Sequence, residues 1–187
     1  GETNQMIWTV IGAAVVIGGA LILLYVNYHN RIITLENRVE EAWAQIDVQL
    51  QKRYDLVPNL VNTVKGYASH EKGIFESIAN ARAGMVTGSR QARVEADNML
   101  TQAMGRLFAI AEAYPDLKAQ ENFKLLQEQL EGIENKIAYA RQFYNDTVLS
   151  FNNVITTIPG MWFAGGRKKS EFLEIPDEAR SVPKVEF

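Results

Sequence analysis

The chain has 187 residues, a formal net charge of -3 and no cysteine. This length suits one domain plus a membrane anchor, because soluble domains most often hold about 100 to 150 residues. The small net charge excludes a strong positive field for collecting nucleic acid. The absence of cysteine excludes disulfides, thiolate metal sites and cysteine nucleophiles.

The N-terminal region contains an uncharged apolar stretch of 21 residues, from Met6 to Val26. A helix needs about 20 such residues to cross a hydrocarbon core of ~30 Å. A cleavable signal would have a shorter apolar region after a basic start, whereas this chain starts GETNQ. The sequence therefore predicts a single transmembrane helix over residues 6–26, preceded by a short tail of residues 1–5. Because Arg31 and Arg38 follow the span, we expect the N-terminus outside and the rest cytoplasmic.

Apolar residues after the span repeat at helical spacing and predict a helical bundle domain over residues 27–158. The first long helix is predicted over 28–70, continuous with the span and bent at Pro58. Shorter helices follow over 71–85 and 91–113, and a second long helix covers 116–158 with a coiled-coil-like seam. The fold class is all-α: a transmembrane helix continuous with a long-helix antiparallel bundle, made of two long helices of about 43 residues plus a shorter helical hairpin.

The two long helices predict an oligomer, because at 1.5 Å per residue each reaches roughly 65 Å and the hairpin covers only about half of that length. Where two helices run alone, their apolar stripes lack partners, and large exposed apolar patches usually mark interfaces. The alternative is that the two stripes bury each other. The predicted homo-oligomer interface comprises Ile32, Leu35, Trp43, Ile46, Phe151, Ile155 and Ile158.

Residues 159–187 are predicted to form a membrane-proximal segment followed by an extended tail. Pro159 and Gly160 end the last helix. Aromatic residues next to bases suit the lipid headgroup region, and the alternative is that the aromatics cap the bundle or a neighbouring subunit while the bases are merely solvated. The candidate membrane-surface residues are Met161, Trp162, Phe163, Arg167, Lys168 and Lys169.

No pattern in the sequence predicts a catalytic or metal site. The two histidines, His29 and His70, lie about 40 residues apart along one predicted helix, so they cannot meet within a chain. Glu128, Glu131 and Glu134 could in principle bind a hard cation, but a solvated row pairing with bases such as Lys136 is favoured. We therefore expect no enzyme activity, cofactor, metal, small-molecule substrate or nucleic-acid partner.

Three segments carry a family resemblance: RVEEAWAQIDVQLQKRYDLVPNLVNTVKGYASHE (residues 38–71), AYPDLKAQENFKLLQEQLEGIENKIAYARQFYND (113–146) and FNNVITTIPG (151–160). Together they resemble the LemA family of bacterial single-pass membrane proteins. The resemblance implies a bacterial origin, an N-terminal membrane helix, a long-helix bundle and no established enzymatic role. It also identifies polar motif residues that we expect to form a buried hydrogen-bond network fixing helix register, with a ligand or partner site as the alternative. This motif comprises Arg53, Tyr54, Asp55, Pro58, Asn59, Asn122 and Tyr144.

These observations favour a non-enzymatic scaffold that self-assembles at the bacterial cytoplasmic membrane, where it shapes the membrane or organises other envelope proteins. Its expected partners are the lipid bilayer, further copies of itself and other envelope proteins. The alternative is an adaptor that presents the helical bundle to a membrane protease or a signalling protein.

Overall fold

The computed structural model describes residues 1–174, and all regular structure in that part of the chain is helical. In chain order the elements are α1 (Glu2–Lys65), α2 (Lys72–Gly84), α3 (Arg90–Ala111), α4 (Pro115–Ala119), α5 (Glu121–Thr156) and a 3₁₀ turn (Gly160–Phe163). The predicted all-α class is confirmed, with the apolar stretch and the first bundle helix forming one continuous helix. The predicted extended tail begins at Glu174, and its residues from 175 onward lie outside the described residues.

Several helix boundaries differ from the prediction, and α1 ends at Lys65 rather than at residue 70. Helix α1 already begins at Glu2, so most of the predicted five-residue tail is helical. The predicted helix over 116–158 is divided in two, because Gln120 adopts an extended conformation (φ -67°, ψ 127°) between α4 and α5. Pro115 occupies the first turn of α4, where its missing N–H would have no partner in the helix anyway.

The chain divides into two compact units. Within the described residues, the anchor unit comprises residues 1–40 and 146–171, and the bundle unit comprises residues 41–145 and 172–174. Helices α1 and α5 each contribute residues to both units.

In the anchor unit, where the sequence analysis predicted that two helices run alone, the segment after α5 makes additional contacts with both helices. Arg167 Nε donates to Glu36 Oε2 at 3.0 Å. The Asn152 side chain pairs with both backbone polar groups of Ser170: its Nδ2 donates to the carbonyl at 2.9 Å and its Oδ1 accepts from the amide at 2.8 Å. The segment after α5 is therefore hydrogen-bonded to α5 through Asn152 and ion-paired with α1 through Glu36. Ala164 of this segment is also buried.

Four of the seven residues of the predicted oligomer interface are buried within the chain. Ile32, Phe151 and Ile155 are buried in the anchor unit, Leu35 is half-buried, and Ile158 is 68% exposed. In the bundle unit Ile46 is buried and Trp43 is half-buried. The structure favours the alternative, in which the stripes are satisfied inside one chain.

The bundle unit contains a tightly packed hairpin of α2 and α3. Ser89 caps α3 by accepting a hydrogen bond from the Ala92 amide at 3.2 Å, as short polar residues commonly do at helix starts. A Cβ at Gly84 would lie 2.8 Å from the Cβ of Ala96, so this close helix contact requires glycine. Trp43 of α1 packs edge to face on Tyr144 of α5, with ring centroids 6.4 Å apart, and faces the guanidinium groups of Arg90 and Arg93 of α3.

Candidate functional site

The first candidate feature is the apolar part of α1. Among the described residues, α1 is the one helix long and apolar enough to cross a membrane, and none of its most apolar window is buried. Trp8 (72% exposed) lies near one end of this stretch and Tyr25 (51% exposed) near the other. Indole and phenol rings prefer the two membrane interfaces, so both positions suit a spanning segment.

Near Tyr25, the 3₁₀ turn of the anchor unit packs on α1. The Phe163 ring stacks on Tyr28 with centroids 5.8 Å apart and meets Tyr25 edge to face at 5.9 Å. Tyr25 in turn stacks on His29 at 5.4 Å. The turn is thus attached to α1 where the apolar stretch ends.

The predicted membrane-surface residues fall into two groups. Phe163 and Arg167 are half-buried and make contacts within the chain. The Phe163 ring packs on Tyr25 and Tyr28. Arg167 pairs with Glu36 and also donates from Nη1 to the Ala164 carbonyl at 3.1 Å. Four others are exposed, namely Met161, Trp162, Lys168 and Lys169.

The second candidate feature is a buried ion network in the bundle unit. The Asp97 carboxylate of α3 accepts from Arg53 Nη1 of α1 at 2.8 Å and from Arg141 Nη2 of α5 at 2.6 Å. Arg53 also donates to Thr101 Oγ1 at 2.9 Å and to Glu134 Oε2 at 3.1 Å. One carboxylate therefore joins three helices through two arginines.

Burial makes this network sensitive to the loss of any one charge. The side chains of Arg53, Asp97 and Arg141 are 1%, 3% and 5% exposed. Desolvation lowers the pKa of the Arg141 guanidinium, although the neighbouring Asp97 opposes that shift; an arginine stays charged in proteins nonetheless. Arg141 Nη1 donates further to Asn98 Oδ1 at 2.6 Å, while the Nε of each arginine is buried without a partner among the described residues. Such an arrangement fixes which residues of the three helices face each other.

Pro58 creates a second polar contact in the same unit. A proline inside a helix has no N–H for the carbonyl four residues earlier, which here belongs to Tyr54. Arg82 of α2 replaces that donor: its Nε donates to the Tyr54 carbonyl at 2.7 Å, and its guanidinium lies 3.7 Å from the centroid of the Tyr54 ring. The proline thus exposes a carbonyl that attaches α2 to α1.

The residues of the predicted polar motif differ in burial. Arg53 and Tyr144 are buried, and Tyr54 and Pro58 are half-buried. Asp55, Asn59 and Asn122 are exposed, and Asp55 Oδ1 accepts a hydrogen bond from Gln51 Nε2 at 3.0 Å, one turn away on the same helix. These positions lie on the solvent side of α1 and near the start of α5.

Sequence reasoning missed Asp97, Arg141 and the role of Glu134. A signal was present, because Asp97 interrupts a run of inward positions on α3 at Val94, Leu100 and Met104, all of them buried. An acid in such a stripe is expected to have a buried basic partner. The three acids Glu128, Glu131 and Glu134 therefore differ in environment. Glu134 pairs with Arg53, while Glu128 and Glu131 are exposed.

The third candidate feature is a groove of about 760 Å³ between α1 and α5 in the bundle unit. Its lining includes three small residues, Ala44, Gly132 and Ala140, and two large exposed side chains, Val48 (52%) and Tyr139 (75%). The remaining lining residues are polar, and one of them, Gln49, has a buried Oε1 with no hydrogen-bond partner among the described residues. The other polar lining residues are Glu41, Gln45, Asn135 and Lys136.

Comparison with known proteins gives a consistent match. The model of the LemA family matches residues 42–187. The chain is 25% identical over 175 residues to magnetosome protein MamQ 2 of Paramagnetospirillum magneticum, covering 78% of this chain and 64% of that protein. It is 25% identical over 173 residues to magnetosome protein MamQ of Magnetospirillum gryphiswaldense, covering 77% and 64%, and 23% identical over 141 residues to protein LemA of Metamycoplasma hominis, covering 74% and 64%. The chain thus spans about 64% of the length of these relatives.

Proposed function

Because this chain belongs to the LemA family, we propose that it is a non-enzymatic scaffold, anchored by α1 in the bacterial cytoplasmic membrane, that self-assembles and organises envelope proteins there. The family and the apolar helix support a membrane location. The proposed orientation has the N-terminus outside and the bundle in the cytoplasm, because Arg31 and Arg38 follow the span. A structural role is supported by the buried charges, since Arg53, Asp97 and Arg141 use their charges to join helices of one chain.

The groove between α1 and α5 is the observation on which this proposal depends. Its lining residues recur at helical spacing on both helices, over residues 41–49 and 132–140. Small lining residues let another helix approach closely, and the large exposed side chains of Val48 and Tyr139 supply contact area. Val48 and Tyr139 expose apolar surface to water, whereas four residues of the predicted interface, Ile32, Ile46, Phe151 and Ile155, are already buried.

A second copy of this chain fits the groove better than an unrelated partner, because the groove is self-complementary. Glu41 and Lys136 provide one acid and one base among its lining residues. In a two-fold dimer the same surface meets itself, so Glu41 of one copy can pair with Lys136 of the other.

The test is the mass of the full-length protein in mild detergent and in lipid nanodiscs. We expect a defined oligomer that falls to a monomer in the double variant Val48→Glu/Tyr139→Glu, because burying four like charges in a dimer is unfavourable. The matched control is Met99→Glu/Leu125→Glu, which adds the same charge at side chains that are 56% and 51% exposed and do not line the groove. This control is expected to keep the parent mass.

Three results would contradict the proposal. A parent chain that stays monomeric in both environments would refute self-assembly and favour the adaptor hypothesis. A groove variant that keeps the parent mass would show that assembly uses another surface. An equal loss of assembly in the control would show that the groove has no special role.

A further inference from the structure

The anchor unit exposes a group of side chains beside the end of the apolar span, and we propose that they form a second membrane contact. We define this interfacial patch as Ile158, Met161, Trp162, Lys168 and Lys169. The structure assigns it to the lipid headgroup region of the leaflet that the C-terminal end of the span reaches, with a preference for anionic lipids.

The position of the patch follows from the aromatic contacts of Phe163. This ring packs on Tyr25 and Tyr28 of α1, at centroid distances of 5.9 Å and 5.8 Å. Tyr25 is the residue before Val26, the last of the uncharged stretch. When that stretch occupies the hydrocarbon core, the 3₁₀ turn is therefore held at the depth of the headgroups, where aromatic side chains are enriched.

The turn itself is well defined and presents its apolar side chains outward. The Met161 amide donates to the Thr157 carbonyl at 2.9 Å, and the Trp162 amide donates to the Pro159 carbonyl at 3.1 Å. A Cβ at residue 160 would lie 2.1 Å from the Val154 carbonyl oxygen, so glycine is required for this close return of the chain. As a result, Ile158, Met161 and Trp162 remain 68%, 48% and 68% exposed.

The charges beside the turn indicate which lipids it meets. Arg167 is bonded to Glu36, so the basic triplet of the sequence reduces to two exposed lysines, Lys168 and Lys169, that form no ion pair within residues 1–174. Arg31, also exposed, lies just beyond the span on α1. A bilayer surface with anionic headgroups complements exposed apolar side chains that lie next to unpaired basic side chains. Each basic side chain near such a surface strengthens the binding by about fivefold.

Cysteine is absent from the chain, so a single introduced cysteine can be labelled with a nitroxide spin label. We would place the label by Met161→Cys in full-length protein reconstituted into phosphatidylcholine vesicles, with and without added phosphatidylglycerol. The control is Asp146→Cys, an exposed α5 position of the same unit, about 15 Å of helix before Thr156 at 1.5 Å per residue. The proposal predicts that oxygen, which concentrates in lipid, relaxes the label at 161, while a water-soluble nickel chelate relaxes the label at 146.

The lysines are tested by energy transfer from the protein to labelled phosphatidylglycerol. We expect Lys168→Gln/Lys169→Gln to lower the local enrichment of this lipid by up to about fivefold for each lysine removed. Lys52→Gln/Lys124→Gln removes the same charge from exposed positions of the bundle unit and is expected to leave the enrichment unchanged.

Two outcomes of the labelling experiment would overturn the membrane contact. A label at 161 as accessible to the nickel chelate as the label at 146 would show that the turn faces water. A label at 161 shielded from both relaxing agents would show that protein, such as a second copy, covers the patch. Unchanged lipid enrichment in the Lys168→Gln/Lys169→Gln variant would refute the preference for anionic lipids.

Discussion

The buried ion network makes a quantitative prediction for Asp97→Asn. This change keeps the shape of the side chain but removes the anion shared by Arg53 and Arg141. Arg53 retains Glu134, whose side chain is 45% exposed, while Arg141 loses its ion pair and keeps only neutral acceptors. Removing one member of a buried charge group destabilises a protein by about 3 to 5 kcal/mol, because it leaves an uncompensated charge away from water.

The assay is urea unfolding of the full-length protein in mild detergent, followed by circular dichroism. With a denaturant dependence of about 2 kcal/mol per molar urea, the midpoint of Asp97→Asn should fall by about 2 M. The matched control is Asp47→Asn, because Asp47 also pairs with an α3 arginine, Arg93, but its side chain is 46% exposed. Loss of an exposed pair is expected to change stability by less than about 1 kcal/mol.

An apolar replacement of the whole group separates the effect of unpaired charge from that of lost contacts. The triple variant Arg53→Met/Asp97→Leu/Arg141→Met removes all three buried charges together. It should recover most of the stability lost by Asp97→Asn, because buried ion groups are often replaceable by apolar residues of similar volume. If Asp97→Asn loses no more stability than Asp47→Asn, the reasoning from buried charge is refuted.

Two further predictions concern single polar contacts. Arg82→Met should destabilise the protein by about 1 to 3 kcal/mol, because it leaves the Tyr54 carbonyl without its side-chain donor. In a Pro58→Ala background the same change should matter less, because residue 58 then has an N–H for that carbonyl, and equal losses in both backgrounds would refute the link. Asn152→Ala should increase amide hydrogen exchange at Ser170, whose N–H donates to the Asn152 side chain. The neighbouring Asn153→Ala, at an exposed position, is the control, and equal exchange in the two variants would contradict the proposed anchoring of this segment.

Much of the fold follows directly from apolar periodicity. The inward positions predicted on α1 at Val39, Ala42, Leu50, Val57 and Val64 are all buried. Their spacing indicates which face of the helix is apolar, and it is the same whichever element covers that face. It therefore predicts the helices but not which helices pack together. For this reason periodicity alone did not predict which helix buries Ile32, Ile46, Phe151 and Ile155: their spacing fits burial by a neighbour in the same chain as well as burial by a second copy.

A candidate site could be predicted from the sequence where its residue types are compatible with only one environment. The uncharged stretch from Met6 to Val26 depends only on length and apolarity, and these are properties of the sequence. Polar motif residues are ambiguous, because an asparagine or aspartate on a helix suits solvent as well as a buried network. Arg53 was placed correctly inside, whereas Asp55, Asn59 and Asn122 are exposed.

The sequence by itself therefore determined the helical class, the apolar stretch long enough to cross a membrane and the inward stripe of each long helix. Only the tertiary structure decided which distant residues meet. Asp97 joins Arg53 and Arg141 from positions more than 40 residues away, and the Arg82 side chain reaches the carbonyl that Pro58 leaves without a helical donor. Periodicity is a local property of the backbone helix, whereas charge pairing depends on how separate helices approach each other, and no local spacing specifies that approach.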